Sequence, residues 1–364
     1  MQQDRPEPLR GIVVGLGPRG ISWVEAGMRH PGVRWVGGVS RSAGNRAAGQ
    51  AAGLPEDGLY PSVEGALAAF AGSADFVLDA TPPAAREAVA ASTFAAGLHL
   101  LCEKPLADDM ATARRIVTAG LQAARRHMVA QNYRFKPQPR TTRPLLERGV
   151  IGPVGQLDVV FAMPWADSPG SHYVTEPHMF ITDMGIHHFD TIRYVLGREP
   201  LGVRCVAWQP AWDWHAAGAA HVAIFRFGTG AGDLHAVHRA TGCALGTQTV
   251  LNADWRLEGP GGTLTWEGDD VFLTHLHRTE RPRREQVFLE RVPAPHTAIL
   301  DEFVAAVRAG RDPECNARDN LRSLAMTAGC IQSARAGGTE VSLVAPPAGF
   351  EPATDRLEGG SSVP

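Results

Sequence analysis

Six residues, Gly15-Leu16-Gly17-Pro18-Arg19-Gly20, constrain this chain more than any others. They place three glycines in a G-x-G-x-x-G spacing between a short apolar run, Leu9 to Gly15, and a helical pattern from Pro18 to Met28. The first glycine allows a tight turn, the second lets backbone amides approach a pyrophosphate, and the third permits close helix–strand contact. The helix N-terminus adds unpaired amides and a partial positive charge for an anion. Gly15, Gly17, Arg19 and Gly20 are therefore expected at the phosphates of a bound dinucleotide.

The residues that follow keep the alternation such a site needs. Val33 to Val39 reads as a buried strand and Ala43 to Gly53 as a small helix. Phe76–Ala80 and Leu98–Cys102 are further strands on either side of a helix from about Ala84 to Ala96. A helix from Met110 to Arg125 and a strand from His127 to Gln131 close the series. Regular strand–helix alternation implies a doubly wound parallel sheet of the Rossmann type, here expected over residues 8–132. After the proline-rich FKPQPR link and a short helix ending at Gly149, the pattern changes to strands joined by turns such as EGPGG. One long helix, Thr182 to Leu196, interrupts them. Residues 133–345 thus read as an α/β unit with a large, mostly antiparallel sheet. The helices His296–Ala309 and Arg318–Ala336 are placed to pack back on the first unit, and residues 346–364 read as a tail.

Composition removes whole classes of function. With 35 Lys+Arg against 38 Asp+Glu, the net charge of −3 supplies no basic face for nucleic acid. No run approaches the length of a membrane span, and MQQDRPEPL lacks the apolar core of a targeting peptide. Five widely spaced cysteines without a C-x-x-C pair suit a reducing compartment, so a cytoplasmic protein is expected.

Beyond the glycines, three segments carry chemistry. Val39-Ser40-Arg41-Ser42 ends the second strand without the carboxylate that would bind a ribose 2′-hydroxyl. Its hydroxyls and guanidinium suit a 2′-phosphate, so Ser40 and Arg41 point to NADP, with NAD as the alternative. Glu103-Lys104-Pro105 sits at the carboxyl edge of the sheet, where Lys104 can polarise a substrate oxygen and stabilise an alkoxide as hydride leaves. Asp183 and His187, at i and i+4 in Asp183-Met184-Gly185-Ile186-His187, lie on one helix face, where a carboxylate can support an imidazole that takes a proton. His172, His178, His187 and His188 crowd the same region, yet their spacing matches no metal-ligand motif, and no metal is expected. His275 and His277 read as a solvated strand face. Trp165, His172, Tyr173, Trp212 and Trp214 read as packing residues more readily than as pocket residues.

Taken in order, GLGPRG, Thr81-Pro82-Pro83, Leu101-Cys102-Glu103-Lys104-Pro105-Leu106, Gln131-Asn132-Tyr133-Arg134-Phe135, Gly152-Pro153-Val154-Gly155 and Asp183-x-Gly-x-His187-x-x-Asp190 resemble the Gfo/Idh/MocA oxidoreductases. The resemblance extends over about residues 8–345, including Asp319-Asn320-Leu321-Arg322-Ser323-Leu324. It implies hydride transfer between a nicotinamide and a secondary alcohol of a sugar, inositol or related polyol, with Lys104, Asp183 and His187 catalytic. It implies that Thr81, Pro82, Glu103 and Lys104 border the cofactor, that Tyr133 and Arg134 join Lys104, Asp183 and His187 around the substrate, and that the second unit's sheet is open, its exposed face building a homodimer or homotetramer. Two positions depart from the pattern: Arg86 stands where relatives often carry His, and His178-Met179 where they carry Gly-Gly. Two other functions use the same fold: glycoside hydrolysis by transient oxidation, and dinucleotide sensing without catalysis.

Overall fold

The structure is a computed structural model that describes residues 7–165, 176–213, 218–228, 233–276 and 281–343. The first sheet is built from β1 (Leu9–Val14), β2 (Val33–Val39), β3 (Leu59–Tyr60), β4 (Phe76–Asp79), β5 (His99–Cys102) and β6 (His127–Val129). All six are parallel, in the order β3-β2-β1-β4-β5-β6. The intervening helices are α1 (Pro18–Met28), α2 (Ala43–Ala51), α3 (Val63–Ala69), α4 (Pro83–Ala95) and α5 (Met110–Gln122).

Alternation along the strands explains the double winding, because successive side chains leave a strand on opposite faces. Val13, Phe76, Leu78 and Leu101 pack with Trp23 and Val24 of α1, whereas Ile12, Val14, Val77 and Leu100 pack with Val89 of α4 and Ile116 of α5. β3 and α3 have no counterpart in the expected elements. A two-residue strand is too short to show a period, and it is held by pairing Gly38↔Leu59 and Val39↔Tyr60.

A turn of 3₁₀-helix, Asn132–Phe135, leads into α6 (Pro137–Glu147). Pro137 and Pro139 fall in the first turn of α6, where a missing amide hydrogen has no intrahelical acceptor to lose. The second sheet contains β7 (Gln156–Ala162), β8 (Gly202–Trp208), β9 (Ala220–Phe227), β10 (Leu234–Thr241), β11 (Asp254–Gly259), β12 (Gly262–Glu267), β13 (Asp270–His275), β14 (Arg283–Val287) and β15 (Val341–Ser342). Their order is β14-β13-β12-β11-β7-β10-β9-β8-β15, antiparallel throughout except for β7 beside β10. The sheet is therefore mixed but mostly antiparallel, as expected.

The long helix begins with a π-helical turn, Phe180–Gly185, and continues as α7 (Ile186–Leu196), which ends on the left-handed Gly197. Phe189 and Ile192 of α7 bury against the second sheet. Of the two last helices, α8 (Pro295–Ala309) packs Ile299, Leu300 and Phe303 on the α1 side of the first sheet. The other, α9 (Ala317–Arg335), spans both units, with Leu321 and Leu324 in the core of the first and Met326 and Cys330 in that of the second. The residues expected to form the tail from 346 onward lie outside the described ones.

Candidate active site

The strand order reverses direction between β1 and β4, so the loops leaving these two strands diverge and open a crevice at their carboxyl ends. The three glycines line it for different reasons. Gly15 has φ +91°, and a Cβ there would stand 2.9 Å from the Ala80 carbonyl carbon and the Thr81 nitrogen. A Cβ on Gly20 would fall 1.8 Å from the Gly15 oxygen. A Cβ on Gly17 would meet nothing within 4 Å. Protein packing thus demands glycine at 15 and 20, while Gly17 keeps open a space at the first turn of α1. That turn carries no acidic residue and no side-chain cap, so its amides are available to an anion, and the cradle fits a dinucleotide pyrophosphate.

At the end of β2, Arg46 donates to the carbonyls of Ser40 at 2.7 Å and Arg41 at 3.1 Å, holding the loop with the Arg41 side chain exposed. After β4, Thr81 donates through its amide and its hydroxyl to Asp79 Oδ1, at 2.8 and 2.6 Å, and Pro82 leads into α4.

The Glu103-Lys104-Pro105 loop after β5 is held from two sides. Glu103 Oε1 accepts from Trp23 Nε1 at 2.8 Å and lies 3.6 Å from Arg19 Nε, while its Oε2 accepts the Lys104 amide. From behind, the fully buried Arg86 guanidinium donates to the carbonyls of Thr81, Glu103 and Pro105. Asp79, 3.6 Å from Arg86 Nε, is pushed toward its protonated form by burial, against the pull of that guanidinium. One buried side chain thereby ties the loop after β4 to the loop that carries Lys104. In the sequence Arg86 stands out only as a departure from a pattern. A single arginine in an alanine-rich helix carries no local signal for such a task.

Lys104 Nζ reaches across to the second unit and donates to Asp183 Oδ1 at 2.5 Å and to the Asp183 carbonyl at 3.1 Å. Asp183 lies in the π-helical turn, a distortion frequent where a helix must aim a side chain into a site. Just before it, His178 adopts φ +59°, a left-handed conformation that glycine reaches without steric penalty.

The expected support of the His187 imidazole by the Asp183 carboxylate is not what the structure presents. Nδ1 is buried without a hydrogen-bond partner, and the imidazole stacks on Tyr133 at 4.2 Å between ring centroids, 16° from coplanar. The physical reason is charge: the Lys104 ammonium takes the carboxylate, and the neutral imidazole finds a flat apolar ring. Burial, reinforced by Lys104, His188, Lys136 and Arg19, drives the His187 pKa well below the usual histidine value, so the ring is uncharged at neutral pH.

Residues 9–131 match the family profile described as oxidoreductase family, NAD-binding Rossmann fold, and residues 139–265 match the GFO/IDH/MocA C-terminal domain. The chain belongs to the Gfo/Idh/MocA oxidoreductase family. Among its relatives is a D-apiose dehydrogenase of Paraburkholderia graminis, 27% identical over 81% of this chain and 79% of that one. An inositol 2-dehydrogenase of Corynebacterium glutamicum is 32% identical over 54% of this chain and 56% of its own. The fold is shared with a solved oxidoreductase from Agrobacterium radiobacter in complex with NAD+, L-tartaric acid and magnesium. That likeness covers 92% of this chain and 98% of that one, at a TM-score of 0.81 and 20% identity. This Gfo/Idh/MocA protein is an oxidoreductase with an NAD-binding Rossmann domain.

Two features of this family member escaped the sequence. Arg134 is buried, and its guanidinium is occupied by Asp190 at 2.6 and 2.7 Å and by Asp319 at 2.6 Å. It thus ties the 3₁₀ turn to α7 and α9. Behind α7 runs a chain of three fully buried histidines: His188 Nδ1 to His238 Nε2 at 2.9 Å, and His238 Nδ1 to His221 Nε2 at 3.0 Å. The Leu251 carbonyl, an acceptor only, lies 3.0 Å from His188 Nε2 and fixes a proton there. With all three rings neutral, His238 and His221 must then each donate through Nε2. Burial pulls the His188 pKa down to about 4 and that of His221 to about 3, consistent with this single tautomeric direction.

Among the described residues no group of three or more His, Cys, Asp or Glu could hold a metal ion, and no helix is long and apolar enough to cross a membrane. Trp165 packs between Phe161 and Phe180, and Trp212 is largely exposed with Nε1 donating to the Cys243 carbonyl. His172, Tyr173, Trp214 and His277 lie outside the described residues.

Proposed function

We propose that this oxidoreductase is an NAD(P)-dependent dehydrogenase acting on the secondary alcohol, or the corresponding ketone, of a sugar, an inositol or a related cyclic polyol. The observation that carries the reading is the contact of Lys104 with Asp183, which joins the carboxyl edge of the nucleotide sheet to the turn preceding His187. The D-apiose and inositol dehydrogenases among the relatives support the substrate class.

Gly15, Gly17, Arg19 and Gly20 would hold the pyrophosphate of the dinucleotide, Ser40 and Arg41 its adenosine ribose, and Thr81, Pro82, Glu103 and Lys104 the side facing the substrate. The nicotinamide, when bound, supplies the hydride acceptor or donor. Lys104 stabilises the alkoxide that develops as the carbon–hydrogen bond breaks, and Asp183 aims its ammonium. His187 accepts the hydroxyl proton on Nε2, since Nδ1 is enclosed; a neutral imidazole has the free lone pair this requires. Tyr133 supports the ring and borders the substrate. Arg134 serves the substrate from behind, by holding α7 in place.

Within the nicotinamide class, the exposed Arg41 and the absence of a carboxylate after β2 favour NADP. Equal or better kcat/KM with NAD would refute that preference. On the open face of the second sheet, Val206, Trp208 and Ile224 are 55%, 44% and 38% exposed, which supports assembly through this face into a homodimer or homotetramer. The five free, buried cysteines support a reducing, cytoplasmic setting.

Nicotinamide reduction should be assayed across inositols, aldoses and glycosides with both cofactors. Lys104→Ala and His187→Ala should each lower turnover by about 10²–10⁴-fold. No reduction with any substrate, or undiminished turnover in either variant, would overturn the proposal. Release of an aglycone without net cofactor reduction would favour glycoside hydrolysis instead.

A further inference from the structure

Lys136 follows the 3₁₀ turn and immediately precedes α6. Its Nζ stands 3.5 Å from the centroid of the Tyr133 ring, on which the His187 imidazole stacks at 4.2 Å. An ammonium and an imidazole at those distances would overlap if they shared one face, so the phenol ring lies between them. The side chain is further held by Asn252 Oδ1, to which Nζ donates, and Asn252 in turn donates to Gln138 at 3.1 Å. No carboxylate among the described residues forms an ion pair with it, and Asp269 acts only from further away. Burial pulls its pKa down to about 8, against the opposing pull of Asp269. Among the described residues, the other groups acting on His187 are Lys104 and Arg19 from the first unit, His188 on its own helix and the stacked Tyr133, with Asp183 paired to Lys104.

We propose that Lys136 is a positioning residue for the acid–base histidine, its ammonium acting through the Tyr133 ring to hold the His187 imidazole flat and uncharged. The inference rests on His187 as the proton acceptor. A cation is drawn to the negative face of an aromatic ring, so Lys136 anchors the platform on which His187 lies. The two nitrogen groups are roughly 8 Å apart, where like charges oppose one another by an amount equal to about 0.5–1.5 units of imidazole pKa. Loss of the Lys136 proton should therefore make His187 a stronger base, and the oxidation rate should rise about two- to sixfold for that reason alone.

The test compares wild type with Lys136→Met and Lys136→Arg between pH 6.5 and 9.5. One readout is kcat/KM for alcohol oxidation. The other is the NMR signal of the His187 ring, assigned by its loss in His187→Asn. Wild type should show an inflection near pH 8 in both, as the nearby charge disappears. Lys136→Met should stay at the high-pH level and Lys136→Arg at the low-pH level, with the inflection gone from each. An inflection that persists in both variants, or is missing from the wild-type ring signal, overturns the proposal. If the ring signal behaves as expected while the rate ignores Lys136, the coupling stands and His187 is not the proton acceptor. Melting temperatures of the variants identify any that fail to fold, and Lys136→Arg, which keeps the charge, then carries the test through the ring signal.

Discussion

Arg134→Met is the substitution that separates two roles for a residue expected at the substrate. In the structure Arg134 is 5% exposed, and its guanidinium forms a two-point contact with Asp190, which is 1% exposed. Burial alone would lower the arginine's pKa, and Asp190 and Asp319 more than reverse that effect. Methionine fills similar volume but leaves the Asp190 carboxylate buried, with a hydrogen bond from Ser323 at 2.6 Å and Arg193 no nearer than 3.7 Å. Removing one partner of such a pair costs about 3–5 kcal/mol, because the remaining charge has lost its compensation. Asp319 adds less, since it is partly exposed and keeps Arg193 at 2.6 Å. At roughly 2–4 °C per kcal/mol for a unit of this size, the melting temperature should fall on the order of 10 °C. Thermal and urea unfolding measure the loss, and steady-state kinetics at low temperature measure what the folded fraction does. The KM for the polyol should stay within about twofold of wild type, because the lost contacts are to carboxylates and not to substrate. Arg134→Met with Asp190→Asn should recover part of the stability, as an amide is less costly to bury than a carboxylate. A variant that melts like wild type but shows a tenfold or greater rise in KM (about 1.4 kcal/mol of lost binding) would refute this account.

Three other outcomes follow from the same geometry. Gly17→Ala should leave the unfolding midpoint unchanged, since the new methyl meets no protein atom, yet weaken dinucleotide binding by about tenfold or more; calorimetric titration showing unaltered affinity would contradict the assigned cradle. Arg86→Ala should lower kcat and stability together by freeing the Lys104 loop, and Arg86→Lys should rescue neither fully, because an ammonium cannot reproduce a fork that spans three carbonyls. Stability should also fall with acid: His127, His188 and His221 are drawn by burial to about 3, 4 and 3 from 6.5, and His187 and His238 well below it. Below pH 6.5 the unfolded chain binds protons that the folded one refuses, so the stabilisation is intact above about pH 7 and is lost progressively toward pH 4, at up to about 1.4 kcal/mol per proton per pH unit. His221→Gln should reduce that slope, and a melting temperature constant from pH 7 to 4.5 would disprove the buried neutral chain.

Much of the nucleotide-binding half was legible because its signals are local. The positive φ of Gly15 and the contact of Gly20 with the Gly15 carbonyl arise within a single strand–turn–helix unit, and the spacing alone announces them. The helix over Pro18–Met28 and the strand over Val33–Val39 match their expected bounds because apolar periodicity and glycine or proline punctuation decide both. Lys104, Asp183 and His187 were visible as residue types in a pattern. Their partners were not: Lys104 finds Asp183 across 79 positions of chain, and His187 lies against Tyr133 instead of being supported by Asp183. What the sequence by itself determined is the doubly wound sheet, the glycine turn at its carboxyl edge and the candidate groups gathered there. What only the tertiary structure decided is which charges meet, which stay neutral and which, like Arg86, Arg134 and Lys136, work from behind. The physical reason is that backbone preferences are set by neighbours a few residues away, whereas desolvation and ion pairing depend on what the fold brings within a few ångströms.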